Sequence, residues 1–447
     1  MPASRDGEQC RGLFAACIFC FCLYPVLAVP SVSAQAQGEQ HNHSEAITPL
    51  RDVLDEAEKN NPQIHAARQG WDAAKQVPSQ VSTLPDPQFT VQQVNVGSPR
   101  PFAGYTNSDF AYFGLGVSQD IPYPGKLRLR GQIAERDADV VQQQYESVRR
   151  SILASVKSTY LQLAYLAQTL RILESDGQLL EQMEKAAEAR YRSGMGSQQD
   201  LLQAQLEQTK LLREITMHHL EVAKVQAQIK ELLNRPQTSP DIETADLPET
   251  PLAQTYDELL AASATQNPDI AGAKQMVEKQ KLQVDLAHED FYPDFNVQYM
   301  WQRTDPAQYR AYFMLSVGVQ VPIYRSRKQR PELAQAEAQL AQSRSEAEAQ
   351  TQHVAFQLRT AFDTAEKSAE LLKIYKDGLL PQTRTEFQSG LAAYQNNRQE
   401  FQSLFASFLD VLKLDEEYWQ TLADRETALA RIEELTGLSL RDQGANQ

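Results

Sequence analysis

Side chains able to carry chemistry are few in this 447-residue chain, and their spacing does not suit catalysis. All four cysteines, Cys10, Cys17, Cys20 and Cys22, fall at the start, so the rest of the chain offers neither a disulfide framework nor a thiolate metal site. The histidines stand at 41, 43, 65, 218, 219, 288 and 353. None has the spacing of a helical metal pair, and no nucleophile elbow accompanies them. His41 and His43 lie in a polar, Gln-rich stretch that reads as a disordered tail. His218 occupies a seam position of a helix and reads as a packing residue. Gly194 and Gly196 make a Gly-x-Gly, but no strand delivers it as a phosphate loop requires. Catalytic residues, cofactor and metal ligands are therefore expected to be absent, which leaves transport or structural roles.

The N-terminus reads as a secretory signal peptide. Arg5 and Arg11 open it, an apolar run extends from Leu13 to Val29, and Val32-Ser33-Ala34 supplies the small residues of a cleavage site after Ala34. Lipidation of Cys17 would need an apolar region before it, which Leu13-Phe14 does not provide. An exported chain free of cysteine suits an oxidising compartment. The segment 1–34 is electrically neutral, so the net charge of −15 belongs to the remainder and disfavours nucleic acid and anionic lipid surfaces as partners. Beyond it no apolar run is long enough for a membrane helix, so a membrane crossing would need strands of a closed barrel.

Long helices dominate the pattern. Tyr145, Val148, Ile152, Val156, Tyr160, Leu163, Leu166, Leu170 and Leu173 recur at the coiled-coil spacing of about 3.5 residues. Leu211, Ile215, His218, Val222, Val225, Ile229 and Leu232 continue it after a break at Ser193-Gly194-Met195-Gly196-Ser197. The expectation is an antiparallel hairpin over 126–234, whose outgoing helix from Lys126 to Arg192 would be about 100 Å long at roughly 1.5 Å per residue. A second hairpin is expected over 331–436, starting at Pro331 and returning through Phe401, Phe405, Phe408, Leu412, Trp419 and Leu422.

The chain repeats itself. Asn61-Pro62-Gln63-Ile64 recurs as Asn267-Pro268-Asp269-Ile270, an offset of 206; Phe113, Leu115 and Val117 recur as Phe313, Leu315 and Val317, an offset of 200. Tyr191-Arg192-Ser193-Gly194 aligns with Phe387-Gln388-Ser389-Gly390 at an offset of 196. The domains expected are a first repeat over 35–236, a Pro-rich acidic linker over 237–250 and a second repeat over 251–447. Each repeat holds two segments alternating with period two, about 88–96 and 110–120, then 295–303 and 311–320, the pattern of barrel strands with one apolar face.

Two repeats of Asn-Pro-x-Ile, strand pair and long hairpin with a Tyr/Phe-x-x-Gly tip resemble the TolC family of outer-membrane efflux proteins. Arg190-Tyr191-x-x-Gly194 followed by Asp200-Leu201-Leu202-x-Ala204 is the most specific element, and Pro122-Tyr123-Pro124-Gly125-Lys126 is similar to the heavy-metal branch. The resemblance implies a mainly α fold with a membrane β-barrel, in which three chains form one trimeric α/β-barrel tube. It implies an exit duct of a tripartite efflux pump, sited in the outer membrane with a long periplasmic extension. Its implied partners are a homotrimer, a periplasmic adaptor, an inner-membrane transporter and outer-membrane lipid, with no nucleic acid. A secreted or surface coiled-coil structural or adhesion protein without a pore is the alternative.

On that reading Phe113, Leu115, Val117, Phe313, Leu315 and Val317 face lipid. Arg190, Tyr191, Gly194, Met195, Gly196, Phe387, Gly390 and Leu391 form a tip that docks the adaptor, with the glycines at the helix reversals and the other side chains exposed for want of a core. Asp200 and Asn396, each six residues past a tip glycine, stand where a periplasmic gate is expected, although Asn396 supplies no acid. Arg325-Ser326 replaces the Gly-Lys junction of the first repeat.

Overall fold

A computed structural model describes residues 47–94, 111–303, 311–396 and 398–440. The expected signal peptide, His41 and His43 lie outside them, as do residues 95–96 and 110 at the expected strand ends. All described residues belong to one compact unit, Ala46–Gln447.

The first repeat opens with three short helices, α1 (Leu50–Asn60), α2 (Pro62–Ala74) and α3 (Val77–Ser82). Strands β1 (Gln88–Val94) and β2 (Tyr112–Ile121) follow, then α4 (Lys126–Arg192) and α5 (Gln198–Leu232). The second repeat has α6 (Tyr256–Gln266), α7 (Pro268–Glu289), β3 (Asp294–Arg303), β4 (Tyr312–Gln320), α8 (Gln329–Ile374), α9 (Leu380–Gln395) and α10 (Phe401–Thr436). Between α8 and α9 the helix passes through a π-turn, Tyr375–Leu379. Pro381 explains it: a proline has no N–H for the helical ladder and its ring crowds the preceding turn, which wider π geometry relieves.

Counting through the π-turn, Gln329–Gln395 has the same length as the 67-residue α4 (Lys126–Arg192). Helix starts, tips and return starts all superimpose at an offset of 203. The tip alignment at 196 is therefore displaced by one heptad. A heptad slip leaves every apolar seam position on the same helix face, so hydrophobic pattern alone does not detect it. The second outgoing helix begins at Gln329 rather than Pro331, which lies within its first turn.

The Asn-Pro pairs are joints. Asn61 caps α2 by accepting from the backbone N–H groups of Gln63 and Ile64, with Pro62 in the first helical position. Its Nδ2 also donates to the Leu232 carbonyl at the end of α5, at 2.8 Å. Asn267 repeats this at α7 and donates to the Leu435 carbonyl near the end of α10, at 3.0 Å. One side chain thus starts a helix and satisfies an orphan carbonyl of another.

Helix α4 is covered on two sides. Val156, Tyr160, Leu163 and Leu166 pack with Val53, Ala57, Val225 and Ile229, while Leu161 and Ala164 pack with Leu372, Tyr418 and Leu422 of the second repeat. The residues between Leu233 and Tyr256 form a belt over these helices. The Tyr160 hydroxyl donates to Thr48 O and accepts from Ala245 N. Gln226 exchanges two hydrogen bonds with the backbone of Ile242, and the buried Glu426 carboxylate accepts from the backbone and hydroxyl of Thr250. The four strands form a single antiparallel sheet, ordered β1-β2-β3-β4, so the two repeats join at the β2–β3 pair.

Candidate functional site

The sheet separates side chains by type. Val117 pairs with Phe89 on one side and Tyr299 on the other, and Tyr299 pairs with Leu315. Leu115 lies between Val91 and Trp301, which pairs with Phe313, and Val297 pairs with Val317. Because period-two alternation keeps directly paired residues on one face, Phe113, Leu115, Val117, Phe313, Leu315 and Val317 come together. Leu315 is 68 % exposed, and Phe89, Val91, Leu115, Tyr299, Phe313 and Val317 are exposed as well. Phe89 and Val91 extend this face, and their alternation with Thr90 was the available signal.

The opposite face carries Gly114, Gly116, Gln298, Ser316 and Gly318, with Met300 and Gln302 buried across the glycines. A Cβ on Gly114 would meet Gln302 Cγ at 3.2 Å, and one on Gly116 would meet Met300 Cε at 3.3 Å. Small residues on that face therefore make room for the side chains of β3.

Below the sheet, Pro122–Lys126 joins the two repeats. Tyr123 stacks on Tyr292 with centroids 4.6 Å apart, and the buried Lys126 ammonium donates to Asp294 at 2.9 Å and lies 3.2 Å from Asp290. The same Asp294 oxygen accepts from Tyr123 N at 2.8 Å. At the offset of 203 the counterpart of Lys126 is Gln329, also buried, so Arg325-Ser326 is not the matching junction.

At the far end, Arg190, Gly194 and Gly196 build the first tip. The Arg190 carbonyl accepts from Met195 N at 2.9 Å and Gly196 N at 3.0 Å, and Gly194 adopts φ of 74°. A Cβ on Gly196 would lie 3.1 Å from Tyr191 N and 3.2 Å from Arg190 C, so any other residue would crowd the backbone of this turn. Ser197 then caps α5 by accepting from Asp200 N.

The second tip differs from the sequence expectation. Gly390 lies inside α9, buried against Gln399 and Leu404, and the reversal comes after Gln395, before α10 starts at Phe401. Phe387 is only 3 % exposed, whereas Tyr191, to which it was aligned, is 44 % exposed. The positional counterpart of Tyr191 is Tyr394, and that of Gly194 is Asn397, which lies outside the described residues. Asn396 caps the end of α9 through its own Nδ2 bond to Ala392 O, and the counterpart of Asp200 is Ser403. Asp200 and Asn396 are therefore not equivalent positions.

A core does exist at this end. Phe387, Tyr394, Phe401, Leu404, Phe405 and Phe408 bury against Leu180, Met183, Ala187 and Ala204, and Leu391 packs on the cluster. Arg190 lies over the Tyr394 ring at 4.2 Å and donates to the Tyr394 carbonyl at 3.0 Å. The Tyr394 hydroxyl donates to Asp200 Oδ2 at 3.4 Å, and burial, then the Asp200 charge, push its pKa up. Arg190 and Leu391 are thus partly engaged inside the protein. Tyr191, Gly194 and Met195 are the tip residues left open.

Three solved structures share this architecture. The outer-membrane channel OprN is 17 % identical with a TM-score of 0.77, and the match covers 88 % of this chain and 90 % of that one. CusC, whose structures describe folding and transmembrane channel formation, is 16 % identical with a TM-score of 0.75 over 87 % and 92 %. The outer membrane protein VceC of Vibrio cholerae is 15 % identical with a TM-score of 0.74 over 88 % and 96 %. No curated relative matches the sequence. The outer membrane efflux protein family matches residues 53–235 and 259–406, spanning both repeats with their strands, joints and first tip. The chain therefore belongs to the outer membrane efflux protein family and is an outer-membrane protein of efflux transport.

Proposed function

We propose that the protein is the exit duct of a tripartite efflux pump, passing small solutes such as metal cations or drugs from a periplasmic adaptor and an inner-membrane transporter to the outside without making or breaking a bond. One observation carries this reading: a four-stranded sheet with a continuous exposed apolar face and two edges, β1 and β4, that are unpaired among the described residues. Open edges are not tolerated in lipid. Three copies, each giving four strands, would close a twelve-stranded barrel with the apolar face outward.

The helical layer supports the same assembly. Helix α5 packs on α4, α4 on α10, and α10 on α8 and α9, so α5 and α8 lie at opposite margins. Leu202, Leu206, Met217 and Leu220 are exposed on α5, and Phe356, Leu371 and Ile374 on α8. Two apolar margins on one chain suit a heterologous contact repeated until the ring closes. A pore-free coiled-coil adhesion protein has no use for the sheet face. The test is extraction of the outer membrane into detergent: a heat-sensitive trimer is expected on a gel, and a stable periplasmic monomer without detergent would overturn the reading.

A further inference from the structure

Asp176 of α4 lies on the contact between the two hairpins, some way from the tips. It is 3 % exposed, and its Oδ2 has no hydrogen-bond partner. From α10, Asp415 brings a second buried carboxylate, and from α9, Arg384 reaches it with Nη2 at 2.7 Å. The charges of this pair both act on Asp176, and the Arg384 side chain is largely in solvent.

Asp176 also forms part of the wall of a cavity of about 260 Å³ between α4, α5 and α10. Glu416 faces that cavity from α10, and Glu207, Lys210, Arg213 and Glu214 face it from α5. Lys210 is paired with Glu207 at 2.6 Å and Arg213 with Glu214 at 3.3 Å, so both cations already have carboxylates of their own. Burial first, and Asp415 second, push the Asp176 carboxyl up to about 7, while Arg384 opposes them.

Alongside, the outgoing helix of the second repeat is broken by the π-turn Tyr375–Leu379, with Gly378 in open space and Pro381 just beyond. The wider π register interrupts the α-helical ladder between α8 and α9 and marks a candidate hinge point.

We propose that Asp176 forms a proton-operated latch between the hairpins, closed when its buried carboxyl holds a proton and released, about the π-turn, when that carboxyl is ionised beside Asp415. The proton is taken from and returned to bulk water. The docked carboxyl holds its proton more tightly than a solvated one, so docking is favoured as pH falls through about 7 and weakened above it. Below the ordinary carboxylate range the penalty disappears.

Hydrogen exchange on the full chain in detergent tests this, with rates corrected for the intrinsic effect of pH. Segments 176–192 and 380–395 should be at least about tenfold more protected at pH 5.5 than at pH 8, since each unit of pKa separation is a tenfold change in the equilibrium. Asp176→Asn should remain protected at both pH values. Asp415→Asn, which removes the repelling charge but leaves the burial, should reduce the pH dependence without abolishing it and serves as the deciding variant if Asp176→Asn does not fold. Equal wild-type protection at the two pH values, or an undiminished pH dependence in the folded variants, would overturn the latch.

Discussion

Gly194 and Gly196 show how a tip can be demanding at one residue and permissive at the next. An alanine at Gly194 would adopt a left-handed conformation costing about 1 to 2 kcal/mol, and one at Gly196 would press on the Arg190 and Tyr191 backbone. Gly390→Ala meets the flexible end of Gln399 at 3.3 Å and should cost less. Thermal unfolding should place Gly196→Ala below Gly390→Ala, and the reverse order would mean that the second glycine is the tighter one. The proposed adaptor docking falls to the residues the core leaves open. Tyr191→Asp with Met195→Asp is expected to retain the trimer and abolish export, read as a trimer band and survival against the pump's substrate in one strain. Leu391→Asp should also lower stability, because Leu391 packs on the aromatic tip core. Normal resistance in the Tyr191 and Met195 variant would reduce the first tip to a turn.

At the scale of elements, the joints and the sheet carry separate tasks. Asn61→Ala and Asn267→Ala each remove an N-cap and the clasp on a return helix, a loss of about 0.5 to 2 kcal/mol by capping alone. Their thermal shifts should be similar, since the two geometries are similar. In the sheet, Leu315→Arg places a charge on the apolar face at a cost of about 2 to 4 kcal/mol at mid-depth in lipid, whereas Ser316→Arg falls on the opposite face. Trimer yield in the membrane fraction should drop for the first and hold for the second. Equal yields would mean that the apolar face does not meet lipid.

Across the whole molecule, the excess of acid over base sets the field of the proposed duct. The chain has 58 Asp and Glu against 43 Lys and Arg, and a narrow low-dielectric tube focuses such a charge. Reversal potentials in planar bilayers under a salt gradient should therefore show cation preference; anion preference would place the acids on the outer wall, where they only keep the tube soluble.

The fold was largely legible because its signals are long and local. A breaker-free heptad seam defines a helix such as α4, strict alternation marks a strand such as β4, and Asn-Pro marks a capped start at Asn61 and Asn267. Those rules act within one element and survive without knowledge of its neighbours. What only tertiary structure decided is how elements lie against one another. The seam repeats every seven residues, so it did not distinguish Phe387 from Tyr394 as the partner of Tyr191, and Gly390 was read as a turn although it lies within a helix. Nor does one seam announce that α4 is buried on a second side, or that Lys126 would meet Asp290 and Asp294, and Asp176 would feel the charge of Asp415, from a different repeat. Such contacts join residues far apart in the chain, and their energies come from burial and charge at a place that exists only once the hairpins have packed.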